Sequence, residues 1–263
     1  VGSRNPTPQG AQTAAQFGEA LSAAGLCVVS GLALGVDGAA HQGALRGGKV
    51  RDGASTRAQH WHTVAVVGTG LDRVYPRQHQ TLAHEIALNG LLISEYLLGT
   101  APLAHNFPKR NRLIAALGLG TLVVEAALKS GSLITAKMAL DLNREVLAIP
   151  GSIHATQSHG CHALIRQGAK LVENAQDVLE ELQLAPQQQV NLFADAMGDA
   201  NGTPSDDEHP LLAHMGYAPV SLDALQARCG LDTATLQAQL LTLELDGALG
   251  RLPGGLFQRL AMA

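Results

Sequence analysis

At 263 residues the chain is long enough for one sizeable α/β core and a small second domain. Aromatic residues are only 3% of it and glycines number 29, which suits a tightly wound layered fold and excludes a large aromatic core. The net charge of −4 excludes a generically basic nucleic-acid binder. Any such surface must be a local patch in residues 1–182, where 15 Lys and Arg face 13 acids; residues 183–263 hold 3 against 9.

Val1, Gly2, Ser3 and Arg4 read as the end of a strand entering a turn, with Pro6 and Pro8 preventing an immediate helix. The chain is therefore expected to begin in mid-strand, with upstream residues missing from it. A helix follows over about 10–24, then a buried strand over 26–29. That strand runs into SGLALGVDGAAH at 30–41, a glycine-rich strand-to-helix turn in which Asp37 is expected to cap a helix reaching Leu45. The spacing is not that of a dinucleotide fingerprint, so no nicotinamide or flavin cofactor is indicated. His41 lacks a partner constellation and reads as a packed or hydrogen-bonding residue.

Residues 47–62 are polar and without period, and are expected to form a surface excursion. Strands are expected at 63–68 and 91–95, separated by the turn at Tyr75 and Pro76 and a helix over about 78–89. In a doubly wound sheet the carboxyl ends of such strands line one crevice, where ligands bind.

Next comes His105-Asn106-Phe107-Pro108-Lys109-Arg110-Asn111-Arg112, three cations in four residues at the start of a helix that continues through Leu113, Ile114, Ala116 and Leu117. Helix N-termini favour acids, so cations here suggest an anionic partner. Arg and Lys neutralise phosphates, and Phe107 offers a face on which a base stacks. The alternative is a solvated charge run beside a core Phe.

The organising stretch is 118–142, a β-branched strand at 121–126 and a helix from Leu133, joined by Lys129-Ser130-Gly131-Ser132. Gly131 lets a ligand approach the backbone, Ser132 is expected to cap the helix, and the free N–H groups attract an anion. Thr135 and Lys137 are placed to add a hydroxyl and a charge. An ordinary capped helix is the alternative reading.

A strand at 146–149, a helix at 163–167, a strand at 170–172 and a helix at 177–182 complete the first domain. His159, Cys161 and His162 have no second cluster, so no metal site is expected. The expected domains are 1–184, a Gln-, Asp- and Pro-containing linker at 185–208, and 209–263. The last holds helices at 210–215, 221–228 and 233–246, with Ser221 and Asp232 as capping candidates, and a Gly-turned hairpin at 249–259. Three helices and a hairpin make a small winged-helix domain. Its three Arg against four acids argue against tight DNA binding there. Cys27, Cys161 and Cys229 suggest neither a disulfide framework nor a zinc knuckle, which fits a reducing cytoplasm. No apolar run nears the roughly 20 residues of a membrane span, and no signal peptide opens the chain.

Taken together, the motifs resemble the DprA (Smf) family of bacterial DNA-processing proteins. The resemblance rests on GSR at 2–4, SGLALGVDGAAH at 30–41, GLD at 70–72 with Tyr75-Pro76, SEY at 94–96, NFPKRNRLIA at 106–115, VVEAALKSGSLITA at 123–136 and IPG at 149–151. It implies an extended Rossmann-like, doubly wound, mostly parallel α/β domain followed by a C-terminal winged helix. It also implies a non-enzymatic recombination mediator that binds single-stranded DNA, displaces single-strand binding protein, loads the RecA recombinase during natural transformation, and forms a homodimer. The DNA-contacting positions it implies are Arg4, Phe107, Lys109, Arg110, Asn111 and Arg112, with backbone and hydroxyl contacts from Gly31, Ser130, Gly131 and Ser132. No catalytic residue and no cofactor are implied. The chain departs from the family pattern in lacking a helical N-terminal region and in its long 47–62 connection. The rival reading is a nucleoside-monophosphate phosphoribohydrolase of related fold, suggested by Gly120-Thr121 and Glu125, although Glu125 follows Thr121 by four residues where those enzymes use three. A transcription regulator acting through the winged helix is the third reading.

Overall fold

Short apolar runs alternating with helical periods build a layered α/β unit, seen in the computed structural model, which describes residues 1–54, 61–182, 210–215 and 219–259. In chain order the first unit contains α1 (Pro8–Ala23), β1 (Val28–Ser30), α2 (Val36–Ala54), β2 (Thr63–Val66), α3 (Gln80–Asn89), β3 (Leu91–Ile93) and α4 (Asn106–Leu117). It continues with β4 (Gly120–Val123), α5 (Ser132–Asp141), β5 (Glu145–Ala148), α6 (His159–Arg166), β6 (Lys170–Leu171) and α7 (Ala175–Glu181). The strands pair in the orders β1-β2-β3 and β4-β5-β6, every pair parallel.

The central strands of the two sheets explain their own composition. All four residues of β2 are buried, and in β5 Val146, Leu147 and Ala148 are at most 2% exposed, so both strands are continuous apolar runs without alternation. The first residues are extended along β4. The Val1 ammonium donates to the Leu122 carbonyl, the Val124 N–H to that of Val1, and the Ser3 N–H to that of Glu125.

Two expectations need correction. Residues 47–54, expected as part of a surface excursion, continue α2, and His62 is buried; residues 55–60 lie outside the described residues. Gly43 and Gly47 carry the physical reason. A Cβ at Gly43 would stand 1.9 Å from the Ala15 carbonyl oxygen, and one at Gly47 would stand 2.0 Å from that of Glu19. The glycines that make this stretch a poor helix former by propensity are the ones that let α2 lie against the α1 backbone. Likewise α6 begins at His159 rather than at 163; the Gly160 N–H donates to the Ala126 carbonyl at 2.6 Å, fixing the first turn against the sheet.

The second unit holds α8 (Pro210–Met215), β7 (Val220–Ser221), α9 (Leu222–Cys229), α10 (Thr233–Leu245), β8 (Leu249–Leu252) and β9 (Leu256–Arg259), with an antiparallel sheet ordered β7-β9-β8. This is a winged helix. Ser221 caps α9 by accepting the Ala224 N–H, and Asp232 caps α10 by accepting from Ala234 and Thr235. Its core gathers Leu211, Leu225, Leu236, Leu240, Leu249 and Phe257. The expected linker at 185–208 lies outside the described residues.

Candidate functional site

Beyond the carboxyl ends of β1 and β4 the chain opens into a cleft of about 510 Å³. One wall comes from the N-terminal segment (Ser3, Arg4 and Asn5), a second from α4 (Phe107, Arg110 and Asn111), and a third from Lys129, Ser130, Gly131, Ser132 and Thr135. Three stretches far apart in sequence thus meet where the doubly wound fold puts its ligand crevice.

Arg110 is the centre of this cleft. Its side chain is 4% exposed, and its Nη1 donates to the Gly31 carbonyl at 2.7 Å and to the Val66 carbonyl, tying the ends of β1 and β2 together. Its Nε donates to Asn111 Oδ1 at 3.2 Å. Among the described residues no carboxylate pairs with it within 4.0 Å. Burial pulls its pKa below the usual guanidinium value, partly opposed by the field of Asp37. A cation desolvated without an ion pair gains from any anion entering the cleft.

Asp37 is held by other work. Its Oδ2 accepts the N–H groups of Gly31 at 3.2 Å and Ala33 at 3.3 Å, so instead of capping α2 as expected, it reaches back from the first turn and fixes the glycine-rich loop. Gly31 donates to Asp37 and accepts from Arg110, so both its backbone polar groups are used inside the protein. What Gly31 gives the site is the absence of a side chain. A Cβ there would stand 2.7 Å from Arg110 Nη2 and 2.8 Å from Asp37 Oδ2.

The third wall is the start of α5. Gly131 is its N-cap, with no side-chain cap bond, and Ser132 is the first helical residue rather than the cap expected from sequence. Ser130 does part of that work: its Oγ accepts the Ser132 N–H at 3.3 Å and lies 2.7 Å from Ser132 Oγ. A Cβ at Gly131 would meet nothing within 4 Å, so a ligand has open access to the backbone there. The exposed Lys129 beside it adds a full charge to the positive end of the helix dipole.

Of the ten residues singled out from the sequence, Arg4, Phe107, Arg110, Asn111, Ser130, Gly131 and Ser132 line the cleft. Gly31 lines an adjoining smaller cavity with Arg4, Phe107 and Arg110. Lys109 and Arg112 line neither; both are exposed on α4, and Arg112 pairs with Glu95. Lys137 also lies outside the lining. Sequence reasoning passed over Asn5 and Gln157, whose Nε2 donates to the Asn5 carbonyl at 3.1 Å from 152 positions away, and no local pattern signals that meeting.

Glu125, the acid of the hydrolase reading, does not line the cleft. Its carboxylate faces the first turn of α1, where a Cβ at Gly10 would stand 2.3 Å from Oε1; an acid there complements the helix dipole. Burial raises the Cys161 thiol to about 11, removing it as a nucleophile near neutral pH. His159 and His162 meet the carbonyls of Ile153 and Gly151 through their Nε2 atoms.

A doubly wound parallel α/β unit with a cationic crevice at its strand ends, followed by a winged helix, defines the class. The chain belongs to the DNA recombination-mediator protein A family, whose model matches residues 1–183; the DprA winged helix domain model matches residues 196–255. It is 40% identical over 261 residues to Protein Smf of Escherichia coli, covering 97% of this chain and 66% of that protein. The chain thus spans just under two thirds of that relative's length. The X-ray structure of DNA processing protein A from Streptococcus pneumoniae is similar with a TM-score of 0.61 and 46% identity, over 69% of this chain and 59% of that one. A Helicobacter pylori DNA processing protein A, solved for insight into its single-stranded DNA binding mode, is similar with a TM-score of 0.59 and 31% identity, over 70% of this chain and 78% of that one.

Proposed function

We propose that this chain binds single-stranded DNA in the cleft between α4, the N-terminal segment and the start of α5, and acts as a recombination mediator without turnover. In this reading Arg4, Arg110 and Lys129 neutralise phosphates, while Asn111 and the Ser130–Ser132 turn hydrogen-bond them. The observation that carries it is Arg110, a buried cation with no ion pair among the described residues, facing a cleft that Arg4, Lys129 and the Ser130–Ser132 turn also line, while Asp37, the carboxylate in that lining, is held by the N–H groups of Gly31 and Ala33. Family membership and the single-strand binding mode of the Helicobacter pylori protein support the choice of ligand. The mediator role extends to protecting incoming DNA, displacing single-strand binding protein and loading RecA in the cytoplasm, as a homodimer. Domains at 1–184 and 209–263 joined by a linker at 185–208 belong to the same proposal.

Titration of the full chain with an oligothymidine and with a duplex of equal length tests it. Single strands are expected to bind more tightly. With three phosphates neutralised, affinity should fall about twentyfold between 50 and 200 mM salt. Equal affinity for the duplex, or release of free base from nucleoside monophosphates, would overturn the reading.

A further inference from the structure

The loop that joins β1 to α2 carries a backbone conformation that its sequence does not favour. Leu32 has a φ of 59°, in the left-handed region that residues with a Cβ rarely adopt, and its side chain is buried. Glycine would relieve that strain, but it would also remove the side chain that packs with Leu45, Ala65, Leu82 and Ile86 in the core. The loop keeps both the leucine and the left-handed turn, so contacts around it must hold the conformation.

The peptide that follows Leu32 is held at both of its polar atoms. Its N–H, that of Ala33, donates to Asp37 Oδ2 at 3.3 Å, and its carbonyl, that of Leu32, accepts from His79 Nδ1 at 3.0 Å. A carbonyl only accepts, so Nδ1 carries the proton. The peptide that precedes Leu32 contains the Gly31 carbonyl, which accepts from Arg110 Nη1 at 2.7 Å. Rotation about φ of Leu32 turns this peptide against the one that His79 and Asp37 hold. Relaxation to an ordinary negative φ would therefore swing the Gly31 carbonyl away from the guanidinium. His79 comes from the 3-10 turn Arg77–His79 and lines neither the cleft nor the cavity beside it. Its ring is seated on the first turn of α2, where a Cβ at Gly38 would stand 2.5 Å from Cε1.

We propose that His79 is a positioning residue for the single-strand site: by holding the Leu32 carbonyl it keeps Leu32 left-handed, which keeps the Gly31 carbonyl aimed at Arg110 and Arg110 fixed in the cleft. The proposal rests on the single-strand reading above and adds to it a residue that acts without touching the strand. When the Nδ1 donor is absent, the loop populates the relaxed form, and apparent affinity falls with the fraction of molecules that keep the left-handed one. No charge that lines the cleft is lost, so the number of phosphates neutralised stays the same.

The test compares wild type, His79→Leu and His79→Asn in the full chain, by oligothymidine titration across a salt series and by amide hydrogen exchange. Leucine removes the donor and the ring, whereas asparagine removes the ring and keeps an amide N–H near the place of Nδ1. His79→Leu should weaken binding about tenfold with an unchanged salt slope, and His79→Asn should stay within about threefold of wild type. The Gly31 and Ala33 amides should exchange faster in His79→Leu while those of β2 keep their wild-type rates. Failure of wild type to bind single strands in a salt-dependent way would overturn the single-strand reading itself. Salt-dependent binding by wild type, with a loss below about twofold in His79→Leu or equal losses in both variants, would overturn the positioning role alone. Loss of β2 protection in His79→Leu would make His79 a packing residue of the whole unit and would overturn it as well.

Discussion

The α/β cleft and the winged helix both carry arginines, and they use them in opposite ways. In the cleft, Arg110 is buried with no carboxylate partner among the described residues and Arg4 is exposed at the rim. In the winged helix, Arg251 reaches Glu244 at 3.9 Å and lies over the Phe257 ring at 5.3 Å, and Arg259 donates to the Leu212 carbonyl. The exposed side of α10 presents Leu241 and Leu245, 55% and 80% exposed, instead of cations. Counting charges already favours the first unit, and asking which charges still lack a partner says where in that unit the anion goes. Affinity for a phosphate chain depends on the latter.

The largest expected effect breaks the first side of this comparison. Arg110→Ala should abolish measurable single-strand binding and also lower stability, by about 1–3 kcal/mol for each of the Gly31 and Val66 carbonyls left without its donor. Arg110→Lys keeps the charge and lacks the planar fork, so it should recover part of the affinity and little of the stability. Urea unfolding beside a binding titration separates the two losses. Retention of full affinity in Arg110→Ala would remove this residue from the site.

Acid should separate the two units by stability. His41 is fully buried with Nδ1 2.6 Å from Thr63 Oγ1, and burial lowers its pKa from 6.5 to about 4. The Thr63 hydroxyl donates to the Val28 carbonyl, so the neutral ring donates through Nδ1, and its Nε2 has no hydrogen-bond partner among the described residues. Because the folded pKa is depressed, the unfolded chain binds more protons between the two values. Stability is then complete above pH 6.5 and falls by about 1 kcal/mol per pH unit down to pH 4. Denaturant melts of a fragment ending at Leu182, from pH 7 to pH 4.5, should trace that slope; His41→Gln should flatten it.

The smallest expected effect sharpens the second side. A chain ending at Leu182 should keep its single-strand affinity to within tenfold, or about 1.4 kcal/mol, because Arg251 and Arg259 of the winged helix are engaged in its own fold. A larger loss would give the winged helix a direct part in binding.

How much of the site was legible depended on how local each signal was. Ser130, Gly131 and Ser132 stood out because a strand, a small-residue turn and a helix follow one another directly in the chain. The cap itself was misassigned by one residue, since Gly131 and Ser132 differ only in backbone geometry that composition does not report. The cation run announced an anion site but not which cation was buried. Asn106, Arg110 and Ile114 recur every four residues and are all buried, so the helical phase of α4 would have singled out Arg110 over Lys109 and Arg112. Gln157 reaches the site from a single 3-10 turn of helix, Thr156–Ser158, whose position only tertiary packing fixes. The extension of α2 was hidden because glycine reads as a breaker, although here it serves close helix packing. The parallel sheets and the winged helix were legible because each element carries its own period and caps.

The central claim, that phosphates are neutralised in the cleft and not on the winged helix, is tested most directly by salt slopes. Oligothymidine affinity would be measured from 50 to 300 mM salt for wild type, Arg4→Ala, Lys129→Ala and Arg251→Ala, all substitutions of exposed residues. The expected result is that each of the two cleft variants flattens the plot of log affinity against log salt by about 0.7, while Arg251→Ala leaves the slope unchanged. Wild-type slopes in both cleft variants, with a flattened slope in Arg251→Ala, would contradict it.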